Sequence, residues 1–132
     1  MKKILGLIPA RLKSTRLKNK VLLKLGNFPL LYHVYKRACL SKKLDEVIVC
    51  CDDKKIQDAM KIHGVPTILT SKKHQNGTER IFEGYKKLKK KYDLIVDIQG
   101  DEPLIKPSHI DDVINFHLKN NDADIILPTI SV

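Results

Sequence analysis

The chain carries five short, unbroken apolar runs, at residues 4–8, 47–51, 66–69, 94–98 and 125–127. None alternates apolar with polar positions, so each predicts a strand covered on both faces. Four segments between them repeat their apolar residues at helical spacing. Residues 29–40 put Leu30, Leu31, Val34 and Ala38 on one stripe. Residues 54–63 follow Asp52 and Asp53, either of which suits an N-cap, and stop at Gly64. Residues 77–90 open with Asn76 and Glu79 at capping-box spacing and turn Ile81, Tyr85 and Leu88 inward. Residues 108–120 follow Pro107, with Ser108 and Asp111 approximating a second capping box and Ile110, Val113, Ile114 and Leu118 on one face. Strands alternating with helices predict an α/β fold: a mostly parallel sheet of about five strands with helices on both faces and right-handed crossovers.

Composition narrows the class. A length of 132 residues suits one domain, spanning 1–132, and 42% hydrophobic with 30% charged residues suits a folded chain rather than a disordered one. The net charge of +10 invites a nucleic-acid partner. Against it, of 25 basic residues only Arg11, Arg16, Arg37 and Arg80 are arginine, and the lysines are spread over the whole chain. The Lys86-Lys87 and Lys89-Lys90-Lys91 clusters fall on the polar side and end of a helix, as a solvated face does. No nucleic-acid-binding motif accompanies them, so the expectation is no nucleic-acid partner. Cys39, Cys50 and Cys51 have neither metal-ligand spacing nor a disulfide framework, and the adjacent pair points to opposite faces of its strand. Free thiols suit a reducing compartment. The apolar run at 4–8 is cut short by Pro9, Ala10 and Arg11, too early for a signal peptide, and no stretch is long enough to span a membrane. A cytoplasmic location without membrane contact is expected.

Candidate chemistry lies in three loops that follow strands. The first, residues 9–20, holds Arg11, Arg16, Lys13, Lys18, Lys20, Ser14 and Thr15. Arg forks onto phosphate oxygens, Lys adds a mobile point charge, and hydroxyls complete a cradle for a triphosphate. It contains no glycine and is not a P-loop. The second, His74-Gln75-Asn76-Gly77-Thr78-Glu79-Arg80, ends at a helix start, where free N–H groups meet an anion or a base carbonyl and Gly77 permits close approach. A plain helix cap explains the same residues. The third is the turn Gly100-Asp101-Glu102-Pro103 after the strand at 94–98. Hard cations take oxygen ligands, and Asp101 is the better placed of the two carboxylates. Loops after parallel strands share one edge and can converge on one ligand. Two basic loops facing a carboxylate are what nucleotidyl transfer with magnesium needs.

These motifs resemble those of the sugar cytidylyltransferases that activate acidic sugars, most closely the 3-deoxy-manno-octulosonate cytidylyltransferase (CMP-KDO synthetase) family. The resemblance rests on Ile8-Pro9-Ala10-Arg11, on Ser14-Thr15-Arg16-Leu17 with Lys20, on His74-Gln75-x-Gly77-Thr78-x-Arg80, and on Gln99-Gly100-Asp101-Glu102-Pro103-Leu104-Ile105, in this order. It implies a Rossmann-like nucleotide-diphospho-sugar transferase fold. It implies that the anomeric hydroxyl of an acidic sugar attacks the α-phosphate of CTP, releasing pyrophosphate, with Mg2+ as cofactor, for lipopolysaccharide or another surface polysaccharide. By position, Arg11, Ser14, Arg16 and Lys20 would embrace the CTP phosphates, with Lys20, Arg16 and Asp101 as the catalytic set. Ala10, Gln75, Gly77, Thr78, Arg80 and Gln99 would line the nucleotide pocket, and Asp101 would hold the metal.

The chain departs from the family pattern at Lys18-Asn19-Lys20-Val21, where relatives usually have Pro-Gly-Lys-Pro, and at Asn76, where they usually have Ser. Family members are longer; their second half supplies most acidic-sugar contacts, a second metal-binding Asp and much of a homodimer interface. The chain is thus expected to be a truncated, N-terminal and CTP-binding half, with little turnover alone. The alternatives are a non-catalytic nucleotide-binding fragment and a cytidylyltransferase-like protein of another surface polysaccharide pathway.

Overall fold

The computed structural model describes residues 3–13, 20–74, 76–100, 104–120 and 126–130, with Asn120 and 126–130 as backbone alone. The five apolar runs become five strands of one sheet: β1 (Ile4–Ala10), β4 (Glu46–Cys51), β5 (Thr67–Leu69), β6 (Leu94–Ile98) and β7 (Ile126–Ile130). Their order is β5-β4-β1-β6-β7, and every neighbouring pair is parallel. The expected α/β class is therefore observed, with β1 at the centre. Strand order runs outward in one direction from β1 to β5 and in the other from β6 to β7. The crevice between β1 and β6 is the topological switch point, where ligands of open α/β sheets bind.

The helices are α1 (Leu30–Ala38), α2 (Lys54–Lys61), α3 (Gly77–Leu88) and α4 (Pro107–Asn120). Alternate residues of each strand feed two cores. Ile4, Ile8, Val49, Cys51, Val96 and Ile98 pack with Leu31 and Val34 of α1, Ile56 and Met60 of α2, and Ile110 and Ile114 of α4. Leu5, Leu7, Ile48, Cys50 and Ile95 pack with Ile81 of α3, and Tyr85 and Leu88 lie against them. Three helices thus cover one face and α3 covers the other. The period of two along each strand explains why the runs are apolar throughout: both faces are buried.

Several boundaries differ from the sequence expectation, each for a local reason. β1 continues through Pro9 and Ala10, which pair with Cys50 and Cys51 of β4. The β1–β6 register ends at Leu7 and Asp97, so the missing N–H of Pro9 interrupts no pair on that side. Asp53, not Asp52, caps α2, accepting the Lys55 N–H at 2.8 Å. α3 stops at Leu88 because Lys89 takes a left-handed conformation, φ 54°. α4 opens at Pro107 itself, which leaves Ser108 inside the helix. Asp111 instead accepts from the Ser41 hydroxyl and from the N–H groups of Lys42 and Lys43, tying α4 to the end of α1. Two small elements were not foreseen: a 3-10 turn (Lys20–Leu22) and a hairpin of β2 (Lys24–Leu25) and β3 (Phe28–Pro29). The hairpin turns at Gly26, φ 70°, and Phe28 stacks on Tyr32 of α1 at 4.6 Å between ring centroids.

The adjacent cysteines do point to opposite faces, and all three thiols are free. Burial pushes the Cys50 thiol up to about 12 and Cys51 up to about 11. Thiol reagents attack the thiolate. With the protein folded at pH 8, we expect a chromogenic disulfide reagent to titrate one thiol, the exposed Cys39, and to reach all three only in denaturant. Rapid native reaction of two or more would contradict this packing.

Candidate functional site

A cavity of about 260 Å³ opens at the C-terminal edge of the sheet, over the β1–β6 crevice. The end of β1 contributes Pro9, Ala10 and Arg11. The 3-10 turn contributes Lys20 and Val21. The approach to α3 contributes His74, Asn76, Gly77 and Arg80, and the end of β6 contributes Gln99 and Gly100. Described residues of all three loops singled out in the sequence thus line one space. The second loop begins at β5, two strands from β1, and reaches the crevice because α3 crosses back over the second face. It packs on β1, with Gly77 against Pro9. The loop leaves β5 through Thr70, whose N–H and hydroxyl both donate to the Cys51 carbonyl, at 2.7 and 3.1 Å.

Close approach of backbone sets the cavity floor. A Cβ at Gly100 would lie 2.6 Å from the Pro9 carbonyl oxygen, a backbone atom that cannot swing aside. A Cβ at Gly77 would meet Pro9 Cγ at 3.0 Å. Both glycines therefore serve tight packing around Pro9, which the sequence reading credited in Gly77 to ligand approach alone.

Of the expected site residues, Ala10, Arg11, Lys20, Gly77, Arg80 and Gln99 line the cavity. Thr78 does not; it is exposed in the first turn of α3. Ser14, Arg16, Gln75 and Asp101 lie outside the described residues. Asp101 follows directly on Gly100 in the sequence. Among the described residues no group of three or more His, Cys, Asp or Glu is arranged to hold a metal. Arg37, the one arginine outside the motifs, donates from Nε to the Ile105 carbonyl at 2.7 Å and so anchors the chain just before α4.

Arg80 is the unusual charge. Its side chain is only 4% exposed. Its Nε has no hydrogen-bond partner among the described residues, and Nη2 stands 3.7 Å from Asp52 Oδ2. A buried guanidinium with an unused donor, lining a cavity, is suited to an acceptor group of a ligand. Sequence reasoning missed two supporting residues. His74, named in the motif but given no role of its own, is partly buried at the cavity wall and donates from Nε2 to Glu83 Oε1 at 2.6 Å. A carboxylate only accepts, so this bond fixes the Nε2–H proton on the ring. Glu83 also takes the Ser71 N–H at 2.9 Å and the Lys87 ammonium at 2.8 Å. The signal was present: Glu79, Glu83 and Lys87 are spaced four apart on α3. The second missed residue is Asp52.

Lys87, the Ser71 N–H and His74 hold the Glu83 carboxyl at about 2, below its ordinary 4.5. A depressed carboxylate stabilises the fold above its unfolded pKa and loses that contribution as pH falls through the folded value. In urea denaturation we expect wild type to exceed Glu83→Gln by about 1 kcal/mol near pH 7, the partly exposed partners limiting the effect. The gap should shrink between pH 4.5 and 2; a gap independent of pH would count against the network. Gly100→Ala should cost about 1–3 kcal/mol by overpacking against the Pro9 carbonyl; an unchanged urea midpoint would contradict the contact.

Comparison with known proteins adds an independent line. The family described as Cytidylyltransferase matches residues 5–129. The chain is 42% identical over 112 residues to the mitochondrial 3-deoxy-manno-octulosonate cytidylyltransferase of Arabidopsis thaliana, covering 85% of this chain and 39% of that protein. It is 45% identical over 120 residues to the 3-deoxy-manno-octulosonate cytidylyltransferase of Fusobacterium nucleatum, covering 91% and 48%. Among solved structures, a CMP:2-keto-3-deoxy-manno-octonic acid synthetase complexed with CTP superposes with a TM-score of 0.85 at 34% identity, over 89% of this chain and 48% of that one. The chain spans less than half the length of these relatives.

Proposed function

Because the chain belongs to the cytidylyltransferase family, we propose that it forms the CTP-binding portion of an enzyme that makes CMP-3-deoxy-manno-octulosonate or the CMP derivative of a similar acidic sugar. The observation that carries this reading is the cavity itself. Arg11, Lys20 and the buried Arg80, drawn from three separate elements, surround one space at the switch point of the sheet. The CTP complex of the similar synthetase and the names of the relatives support CTP and 3-deoxy-manno-octulosonate as substrates.

In the reaction, the anomeric hydroxyl of the sugar gives up its proton to solvent as its oxygen bonds to the α-phosphorus of CTP, the bond from that phosphorus to the bridging oxygen breaks, and pyrophosphate carries the electron pair away. Charge neutralisation and alignment do most of the work in such transfers. Arg11 and Lys20 would hold the phosphates, with Lys20 offsetting charge on the leaving pyrophosphate; Ser14 and Arg16 of the same loop would join them. Ala10, Gly77, Gln75 and Gln99 would border the nucleoside, and Arg80 would offer its unused donor to an acceptor there. Thr78, exposed on α3, takes no part in this reading. Asp101, next in sequence to a cavity residue, would supply an oxygen ligand to Mg2+, which when bound neutralises phosphate charge. Residues 1–132 together would form the nucleotide-binding unit.

Titration calorimetry with CTP and Mg2+ tests the reading. We expect saturable binding, weakened about tenfold by Arg11→Ala and by Lys20→Ala, as loss of a charge-assisted hydrogen bond to phosphate would give. No binding by wild type, or wild-type affinity in both variants, would reject it.

A further inference from the structure

We infer that Asp52 is a positioning residue of this pocket, a single carboxylate that holds the loop after β1 and the Arg80 guanidinium in one fixed geometry. The inference deepens the CTP reading and rests on it for the identity of the ligand.

Asp52 is the first residue after β4, whose last residue, Cys51, pairs with Ala10 of β1. The parallel register therefore sets Asp52 beside the chain leaving β1. Its Oδ1 accepts the Leu12 N–H at 3.0 Å, next to the cavity residue Arg11. Its Oδ2 stands 3.7 Å from Arg80 Nη2. The carboxylate is largely buried, with 12% of its side chain exposed, and it does not itself line the cavity. Its neighbour Asp53 takes the α2 cap and the Lys72 ammonium at 3.0 Å. Division of labour between the two aspartates leaves both Asp52 oxygens to the pocket.

The physical consequence is specific. A guanidinium is a planar fork, so restraining Nη2 also restrains the direction of Nε. Without its counter-charge, a buried Arg80 would be uncompensated and would turn toward water. The same carboxylate fixes where the phosphate loop leaves the sheet. Simple electrostatics argues the other way: Asp52 is a negative charge near a pocket for a polyanion, and its removal should tighten CTP binding. Positioning and plain repulsion therefore predict opposite signs.

The test uses the 132-residue chain with Asp52→Asn and Asp52→Ala, each alone and combined with Arg80→Met. Asn keeps an acceptor for the Leu12 N–H but removes the charge facing Arg80; Ala removes both. We expect Asp52→Asn to weaken CTP–Mg2+ binding about fivefold and Asp52→Ala about thirtyfold, with urea midpoints showing both folded. In the Arg80→Met background the Asn effect should vanish while the Ala effect keeps its loop component, a non-additivity expected of groups in contact. By 15N NMR, Asp52→Asn should shift the Arg80 Nε–H signal and preserve Leu12 amide exchange protection, which Asp52→Ala should reduce about tenfold. Tighter CTP binding by Asp52→Asn, additive effects, or an unmoved Arg80 signal would overturn the inference. If wild type binds no CTP, the functional reading falls while the two NMR signals still decide whether Asp52 holds both elements: Leu12 protection unchanged in Asp52→Ala would overturn it.

Discussion

Pro9 occupies the point where the three loops of the site meet; opposite its carbonyl nothing larger than hydrogen fits, and opposite its ring the packing is tight. Gly100 leaves 2.6 Å between a would-be Cβ and the Pro9 carbonyl oxygen, and Gly77 leaves 3.0 Å to its ring. The first contact is against a backbone atom of β1, so relieving it means shifting the end of β1 or the segment just after β6, the two strands at the middle of the sheet. The floor of the cavity thereby inherits the rigidity of a core packed on both faces. The α3 N-terminus, and with it His74, Asn76 and Arg80, is seated against that floor by the same proline.

On this scaffold the charges are arranged unevenly. Most of the surplus positive charge is lysine dispersed over the chain, and it does not need to act at the site. Arg80 differs because it is buried, and burying a cation is costly unless its donors are satisfied. Asp52 offsets part of that cost from behind the cavity, and the unused Nε keeps an acceptor in demand within it. Glu83 plays the comparable role for His74, gathering an N–H, an imidazole and an ammonium at one carboxylate. Both acids sit one layer behind the cavity wall, and each draws together elements distant in sequence: Leu12 with Arg80, and Ser71 with Lys87.

Much of the fold was legible because burial on both faces writes itself as unbroken apolar runs, and helices as stripes. All five runs became strands of the predicted parallel sheet, and the stripes of Leu31 and Val34, of Ile81, and of Ile110 and Ile114 all face the cores. The hairpin at 24–29 escaped notice because its strands have two residues each, too short for any period to register. The Asp111 cap was misread because a carboxylate three residues into a helix looks the same whether it turns back to its own N-terminus or outward to Ser41. At the site, Ala10, Arg11, Lys20, Gly77, Arg80 and Gln99 were recognisable from motif and loop position. Thr78 shared the motif but not the cavity, since successive residues in a helix turn point about 100° apart.

The sequence by itself determined the strand and helix alternation, the family motifs and the places where each motif loop leaves a strand, because these depend on periodicity and local backbone chemistry. Only the tertiary structure decided that β1 lies central with β4 on one side and β6 on the other. From that order follow the meeting of the three loops, the crowding around Pro9 and the bridge from Asp52 to both Leu12 and Arg80. These are contacts between residues tens of positions apart, set by strand order and register, which no local pattern encodes.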